Sequence, residues 1–345
     1  MSNNPIKIKA TDDSDRTAMS DFVKRVDDTN QPAPVVRFAS ALGTQKVASA
    51  LSDRFKFLKS LGASQACEFY LARGSRNETV VLKVLSGSAA RDFRQRELFK
   101  LEAHAASRLS HKNIVRTGEA ESVNGIYFCV AEQCAGQTLR ELLNRKGWLD
   151  LTQAVSIINQ IADALTYAHS REVLHLRLQP EKILLDQNGV VRITDFGIDA
   201  GQQSGWAHAE RSRRLNAQYQ SAEQMCGASL DRRSDLYSLG VLLFEMLTDR
   251  LPFDSEEAEY IKRRHRVKHA PLPPHVLSRG VPEAISLVVM GLLEKNPNKR
   301  FSNAKVFQMT LNRLVSLEAE AEAIENDEPL VEADVLSSYA VDVLE

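Results

Sequence analysis

The sequence predicts an α+β protein built as two lobes, and two observations carry that reading. Period-two apolar runs and turn residues crowd the first part of the chain, while three-to-four-residue apolar spacing fills the later part. At 345 residues the chain is long enough for two lobes sharing a substantial core. The formal net charge of −1 gives no whole-chain bias toward nucleic acid or an anionic membrane. Neither Leu239–Leu247 nor Ala284–Leu293 is long enough to span a bilayer, and the amino terminus has no apolar signal core. A cytoplasmic address is the expectation. The four cysteines, Cys67, Cys129, Cys134 and Cys226, form no C-x-x-C pair and read as reduced thiols rather than zinc ligands.

Residues 1–52 are polar and mixed in charge, with a breaker cluster at Gln31, Pro32 and Pro34, and read as a flexible extension. Strands are expected from Phe55, from Phe69 and over Thr79–Leu85, where β-branched and aromatic residues alternate around turn residues. Phe93, Leu98, Leu101, Ala105 and Leu109 then keep helical spacing. Ile126–Ala131 reads as a buried strand, Gly136 opens a helix, and residues 152–170 form a longer one. The chain stays mostly helical to about residue 316. From 317 to 345 the charged residues are all acidic, the pattern of a self-repelling tail, although Val331, Val335, Leu336, Tyr339, Val341 and Leu344 also suit a short docked helix.

The chemistry-bearing stretch is His175-Leu-Arg177-Leu-Gln179-Pro-Glu-Lys182, followed by Asp195, Phe196 and Gly197. Upstream stand Val80, Val81, Leu82 and Lys83, then Glu102, then Ser110, His111, Lys112 and Asn113; downstream stand Ala222 and Glu223, Arg233-Ser-Asp235 and Lys295-Asn-Pro-Asn-Lys-Arg300. In order and spacing this set resembles the Ser/Thr protein kinase family over about residues 54–314, and is most similar to its bacterial, eukaryotic-like members. The resemblance implies a protein-kinase-like domain at 53–316, with a small strand-rich N-lobe (53–132) and a larger helical C-lobe (136–316). The provisional ATP site it implies comprises Gly62, Lys83, Glu102, Glu132, Cys134 and Leu184, with Lys83 held by Glu102 and Asp195 as the Mg²⁺ carboxylate.

The departures from the family pattern fall where its chemistry lies. Where the family has H-R-D-L-K-P-E-N, Arg177 stands at the base, Gln179 at the phosphate-binding Lys and Lys182 at the metal-binding Asn. Guanidinium stays protonated and accepts no proton. Lys182 repels a second Mg²⁺, and Asp195 is open to two roles, the Mg²⁺ carboxylate or a structural partner of Lys182 or Lys83. Only Gly62 survives of the glycine-rich loop, with Ser64 and Cys67 at later glycine positions. Phe69 and Val81 are larger than the family's residues above adenine, an overpacking worth about 1–3 kcal/mol, or roughly tenfold to hundredfold in affinity. Ala131 is a small gatekeeper.

The chain thus resembles a pseudokinase, a binding or scaffolding module in signalling. A weakly active kinase, another ATP-dependent transferase and an ATP sensor without turnover remain alternatives. ATP with one Mg²⁺, or no cofactor, is compatible. A protein partner is implied, another kinase or a substrate protein, with basic clusters at Arg211, Arg213 and Arg214 and at Lys262, Arg263, Arg264 and Arg266 as candidate contacts. In the loop at 198–222, Ser204, Ser212 and Ser221 are the available hydroxyls, but Leu176 replaces the usual phosphate-receiving Arg.

Overall fold

The architecture comes from a computed structural model that describes residues 41–64, 66–196, 198–199, 217–253 and 270–327. The N-lobe is an antiparallel sheet of five strands in the order β1-β2-β3-β5-β4: β1 Lys56–Ala63, β2 Cys67–Arg73, β3 Thr79–Leu85, β4 Glu121–Val123 and β5 Ile126–Glu132. In register, Phe69 of β2 lies opposite Lys83 of β3, and Lys83 opposite Cys129 of β5. Strand alternation therefore puts Phe69, Lys83 and Cys129 on one sheet face, the face toward the cleft.

Between β3 and β4 runs helix α2, Phe93–Ser107, begun by the Asp92 carboxylate accepting from the Arg94 N–H. Its buried face carries Leu98, Phe99, Glu102, Ala103, Ala105 and Ala106. A buried Glu in an otherwise apolar stripe must find a partner, and that partner lies in the other lobe.

One correction falls on the extension expected at 1–52. Residues 41–50 form helix α1, Ala41–Ala50, and the chain behind it closes on the sheet. Val47 and Leu51 are buried with Phe55, Tyr70, Leu82 and Phe128. Val47 in the helix and Leu51 just after it, with Ala50 packed beside them, seat this segment on the sheet. Residues 1–40 lie outside the described residues.

The C-lobe is organised around α6, Arg232–Thr248, buried from Ser234 to Leu247 and apolar on most sides, as a helix at the centre of a lobe must be. Around it pack α4, Leu151–His169, and α8, Glu283–Leu292, with α3, Leu139–Lys146, toward the cleft. Short strands frame the cleft floor: β6 Gln137–Thr138, β7 Val173–Leu174, β8 Ile183–Leu185, β9 Val191–Ile193 and β10 Ile198–Asp199. The small helices α5, Ala222–Cys226, and α7, Pro274–Leu277, complete the lobe.

The last helix, α9, runs Ala304–Asp327. Ala304, Phe307, Leu311 and Leu314 bury on the core at helical spacing. The helix continues past the expected end near 316 into the acidic run, because elongation adds one backbone bond per residue and Leu, Ala and Glu favour it. Residues 328–345, with the apolar positions from Val331 to Leu344, lie outside the described residues.

Buried ion pairs hold the C-lobe together. Arg300 donates to both oxygens of Glu223 at 2.6 and 2.8 Å, with none of its side chain exposed. Arg140 bridges Glu181 (3.0 Å), Glu245 (2.7 Å) and the Tyr219 hydroxyl (2.6 Å). Burial alone would lower the Arg140 pKa, but its neighbours Tyr219, Glu245 and Glu181 raise it.

Candidate functional site

The loop after β7 is positioned by α6. Asp235 accepts the His175 N–H through Oδ2 at 2.9 Å and the Leu176 N–H through Oδ1 at 2.6 Å. Gln224 of α5 donates to the Leu176 carbonyl at 2.9 Å. Both ends of this peptide are therefore fixed, which holds Leu176 at φ 55°, a backbone region uncommon for a leucine. Asp195 adopts φ 59° across the cleft. Backbone strain of this kind persists only where surrounding contacts over-determine it.

His175 is fully buried and its tautomer follows from its neighbours. The Arg177 N–H donates to Nδ1 at 3.2 Å, so Nε2 carries the proton and donates to the Thr194 carbonyl at 3.0 Å. Burial, with Arg177 nearby, pushes its pKa down to about 4.

Arg177 points across the cleft, and its Nη2 lies 3.1 Å from Glu102 Oε2 on α2. Lys83 Nζ lies 2.8 Å from Asp195 Oδ1, and Lys182 Nζ lies 2.8 Å from Asp195 Oδ2. Side-chain exposure is 19% or less at all five residues. This corrects the expected Lys83–Glu102 pair: Arg177 takes Glu102, and Lys83 turns to Asp195. Glu102 still acts on Lys83 at longer range. Burial alone would lower the Lys83 pKa, but Asp195, Cys67 and Glu102 raise it. Burial would likewise raise Asp195, but Lys182, Lys83 and Arg177 hold it well below the ordinary carboxylate range.

This donor set does not suit a divalent cation. Each Asp195 oxygen faces an ammonium, and the position the family fills with a metal-binding Asn supplies a third cation to the cleft rather than an oxygen ligand. Among the described residues, no group of three or more His, Cys, Asp or Glu is placed to hold a metal.

The rest of the provisional ATP site is altered in the same direction. Ser64 donates its N–H to the Cys67 carbonyl at 2.7 Å, and its hydroxyl oxygen accepts the Cys67 N–H at 3.1 Å. The turn that would offer amides to phosphates closes on itself. Leu61, Leu71, Val81, Val115, Cys134 and Leu184 form one hydrophobic cluster, with Phe69 and Ala131 packed against it. Roof and floor residues thus belong to one cluster, and Phe69, Val81 and Leu184 of it line the cleft. The cleft encloses about 60 Å³ within an open-mouthed depression of about 690 Å³. Glu132 lines it but is engaged by Arg192 at 2.8 Å. Burial beside Glu132 pushes the Cys134 thiol up to about 11. Gly62, at φ 129°, keeps a conformation that favours glycine.

Sequence reading identified Lys83, Glu102, Arg177, Lys182 and Asp195, and the fold brings all five together. It assigned Glu102 to Lys83 rather than to Arg177, and missed the Ser64–Cys67 closure. It also missed Arg140, whose partners lie far along the chain. Ser221, named as an available hydroxyl, is buried and caps α5 by accepting the Gln224 N–H. Ser204, Ser212 and the two basic clusters, Arg211 to Arg214 and Lys262 to Arg266, lie outside the described residues.

Residues 55–311 match the protein kinase domain family. The chain is 32% identical over 256 residues to serine/threonine-protein kinase PrkC of Bacillus subtilis, covering 74% of this chain and 39% of that protein. It is 34% identical over 272 residues to serine/threonine-protein kinase PknB of Mycobacterium leprae, covering 77% and 44%. It therefore spans about two fifths of the length of these curated relatives. The crystal structure of the Mycobacterium tuberculosis PknI kinase domain superposes with a TM-score of 0.60 at 23% identity, over 82% of this chain and 99% of that one, a likeness of fold. No described helix is long and apolar enough to cross a membrane.

Proposed function

The chain belongs to the protein kinase family, among its bacterial, eukaryotic-like Ser/Thr members, and on that premise we propose that this domain is a pseudokinase, a regulatory binding module. The observation that carries the proposal is the Arg177–Glu102 ion pair at 3.1 Å. The base position holds a permanent cation, and that cation ties the C-lobe loop to α2. Base catalysis needs a group that can take the substrate hydroxyl's proton, and guanidinium cannot. Gln179 adds no charge where the family places a cation for the transferring phosphate. The ion pairs of Asp195 with Lys83 and Lys182 support the same reading, because they link β3, the Asp195 segment and the 175–182 loop.

A second reading, a slow phosphotransferase, is favoured by the names of the relatives, which are Ser/Thr kinases. Lys83 and Asp195 also remain in place, and positioning with electrostatics supplies most of kinase catalysis. The two readings part in one assay. The full chain is incubated with γ-labelled ATP, Mg²⁺ and a generic protein substrate, beside its Asp195→Ala variant. The binding-module reading expects no label transfer above that of the variant. Transfer by the wild type that the substitution abolishes selects the enzyme instead.

A further inference from the structure

We infer that the turn between α3 and α4, which carries the exposed Trp148, is the dock for this chain's own acidic segment after α9, residues 328–345.

The direction of α9 comes first. Ser302, just before α9, and His169, the last residue of α4, line one surface depression. Further along, Gln308 donates to Asp163 Oδ1 at 2.8 Å, and Asn159 donates to Asn312 Oδ1 at 2.7 Å. Leu317 and Leu151 then pack on the same core. So α9 runs antiparallel to α4, and each step forward along α9 is a step back along α4. The spacing of 308 with 163 and 312 with 159 sets residue 320 opposite residue 151, the first of α4. Residues 321–327 continue beyond that point, by about 10 Å at the helical rise. The α3–α4 turn closes the same end of the lobe, and residue 328 leaves the helix there.

The turn presents an aromatic surface between cations. Trp148 is 58% exposed, although tryptophan is a residue that folds mostly cover. Its neighbour Leu149 is buried, and the Leu149 N–H donates to the Met246 carbonyl at 2.7 Å. That anchor fixes the turn and leaves the indole facing outward. Arg145 and Lys146, in the last turn of α3, are exposed beside it. The carboxylates nearby are Asp150, which accepts the Gln153 N–H, and Asp249, which lies against Gly147 and is followed by Arg250. With Arg250 offsetting Asp249, Arg145 and Lys146 outnumber Asp150.

Residues 328–345 complement this surface. They carry Glu328, Glu332, Asp334, Asp342 and Glu345 and no Lys or Arg. Val331, Val335 and Tyr339 recur every four residues, with Leu336 beside them. The pattern is that of an amphipathic helix, with an apolar stripe to cover an indole and carboxylates at its margin for Arg145 and Lys146. Each extended residue adds about 3.3 Å, so reach sets no limit. A tethered segment also meets its dock at an effective concentration of roughly millimolar. That advantage favours this chain's own segment over a second copy or a separate acidic peptide.

Hydrogen–deuterium exchange of the full chain tests the contact. Amides within 331–341 are expected to exchange more slowly than those of an isolated peptide of the same sequence. Trp148→Ala is expected to remove about tenfold or more of that protection, the loss of a central aromatic anchor. Arg145→Ser with Lys146→Ser is expected to remove a smaller part, and added salt to reproduce that part. Unchanged exchange of the α4 amides shows that each variant is folded. Protection that is the same over about a hundredfold range of protein concentration assigns the dock to the chain's own segment. Three results overturn the inference: exchange equal to that of the isolated peptide, protection indifferent to both variants, or protection that grows with concentration, which points to a second copy.

Discussion

Two sets of buried charged contacts sit within this domain, and they differ in what they preserve. In the C-lobe, Glu223 with Arg300, and Asp235 under the His175 and Leu176 amides, keep the residue types the family pattern has at these positions. In the cleft, Arg177 and Lys182 are new charges, and they re-route Glu102 and Asp195 into contacts the family pattern does not contain. The scaffold positions keep the family's residue types, while the cleft positions carry different ones. The maintenance of a fold and the positioning of reacting groups are therefore separable demands on the sequence. The replaced residues also stay in use, since the new cations satisfy two buried carboxylates that would be expensive to leave alone.

The contrast can be broken first at the scaffold. Arg300→Ala leaves Glu223 without its bidentate partner in a buried setting, and a loss of about 3–5 kcal/mol is expected in chemical denaturation. A smaller loss would mean that the scaffold pairs are no more structural than the cleft pairs.

Next comes pH. His175 joins the two regions, since its backbone rests on Asp235 while its ring carries the start of the cleft loop. Its pKa is about 4 in the fold against an ordinary 6.5, so the unfolded chain takes up the proton first. Its contribution is complete above pH 6.5 and is lost as pH falls to 4. The gap is worth about 3 kcal/mol as an upper figure. Denaturation midpoints across that window should fall with acid, and His175→Gln should flatten that part of the slope. A wild-type stability flat over the window would contradict the buried neutral imidazole.

The smallest effect belongs to a pair outside both regions. Arg54 and Glu121 meet at the N-lobe surface with side chains 45% and 41% exposed. Glu121→Gln should cost about 1 kcal/mol or less, because solvent screens exposed pairs. A larger cost would show that contact alone, without burial, explains the other pairs.

Much of this was legible in the sequence because landmarks at fixed spacing locate one another. Lys83, Glu102, Arg177, Lys182 and Asp195 were all found that way, as were the strand Thr79–Leu85 and the long helices. Partner choice was legible only in part: Asp195 with the two lysines and Glu223 with Arg300 could be named, the partner of Glu102 could not. The family pattern has Glu102 serving the β3 lysine, and only three-dimensional reach shows that Arg177 takes it. The same holds for Arg140, whose partners lie 41, 79 and 105 residues away in sequence. Helix α1 was hidden for another reason: its seat on the sheet is made by Val47, Ala50 and the following Leu51, a short cluster that raises no sustained apolar period.

The central claim is that the position of the catalytic base has become a tie between the lobes. A double-mutant cycle on Arg177→Met and Glu102→Gln, read by chemical denaturation of the full chain, tests it most directly. The account predicts a coupling of about 1–3 kcal/mol between the two sites, the range of groups in one buried ion pair. Changes that add to within about 0.5 kcal/mol would contradict it.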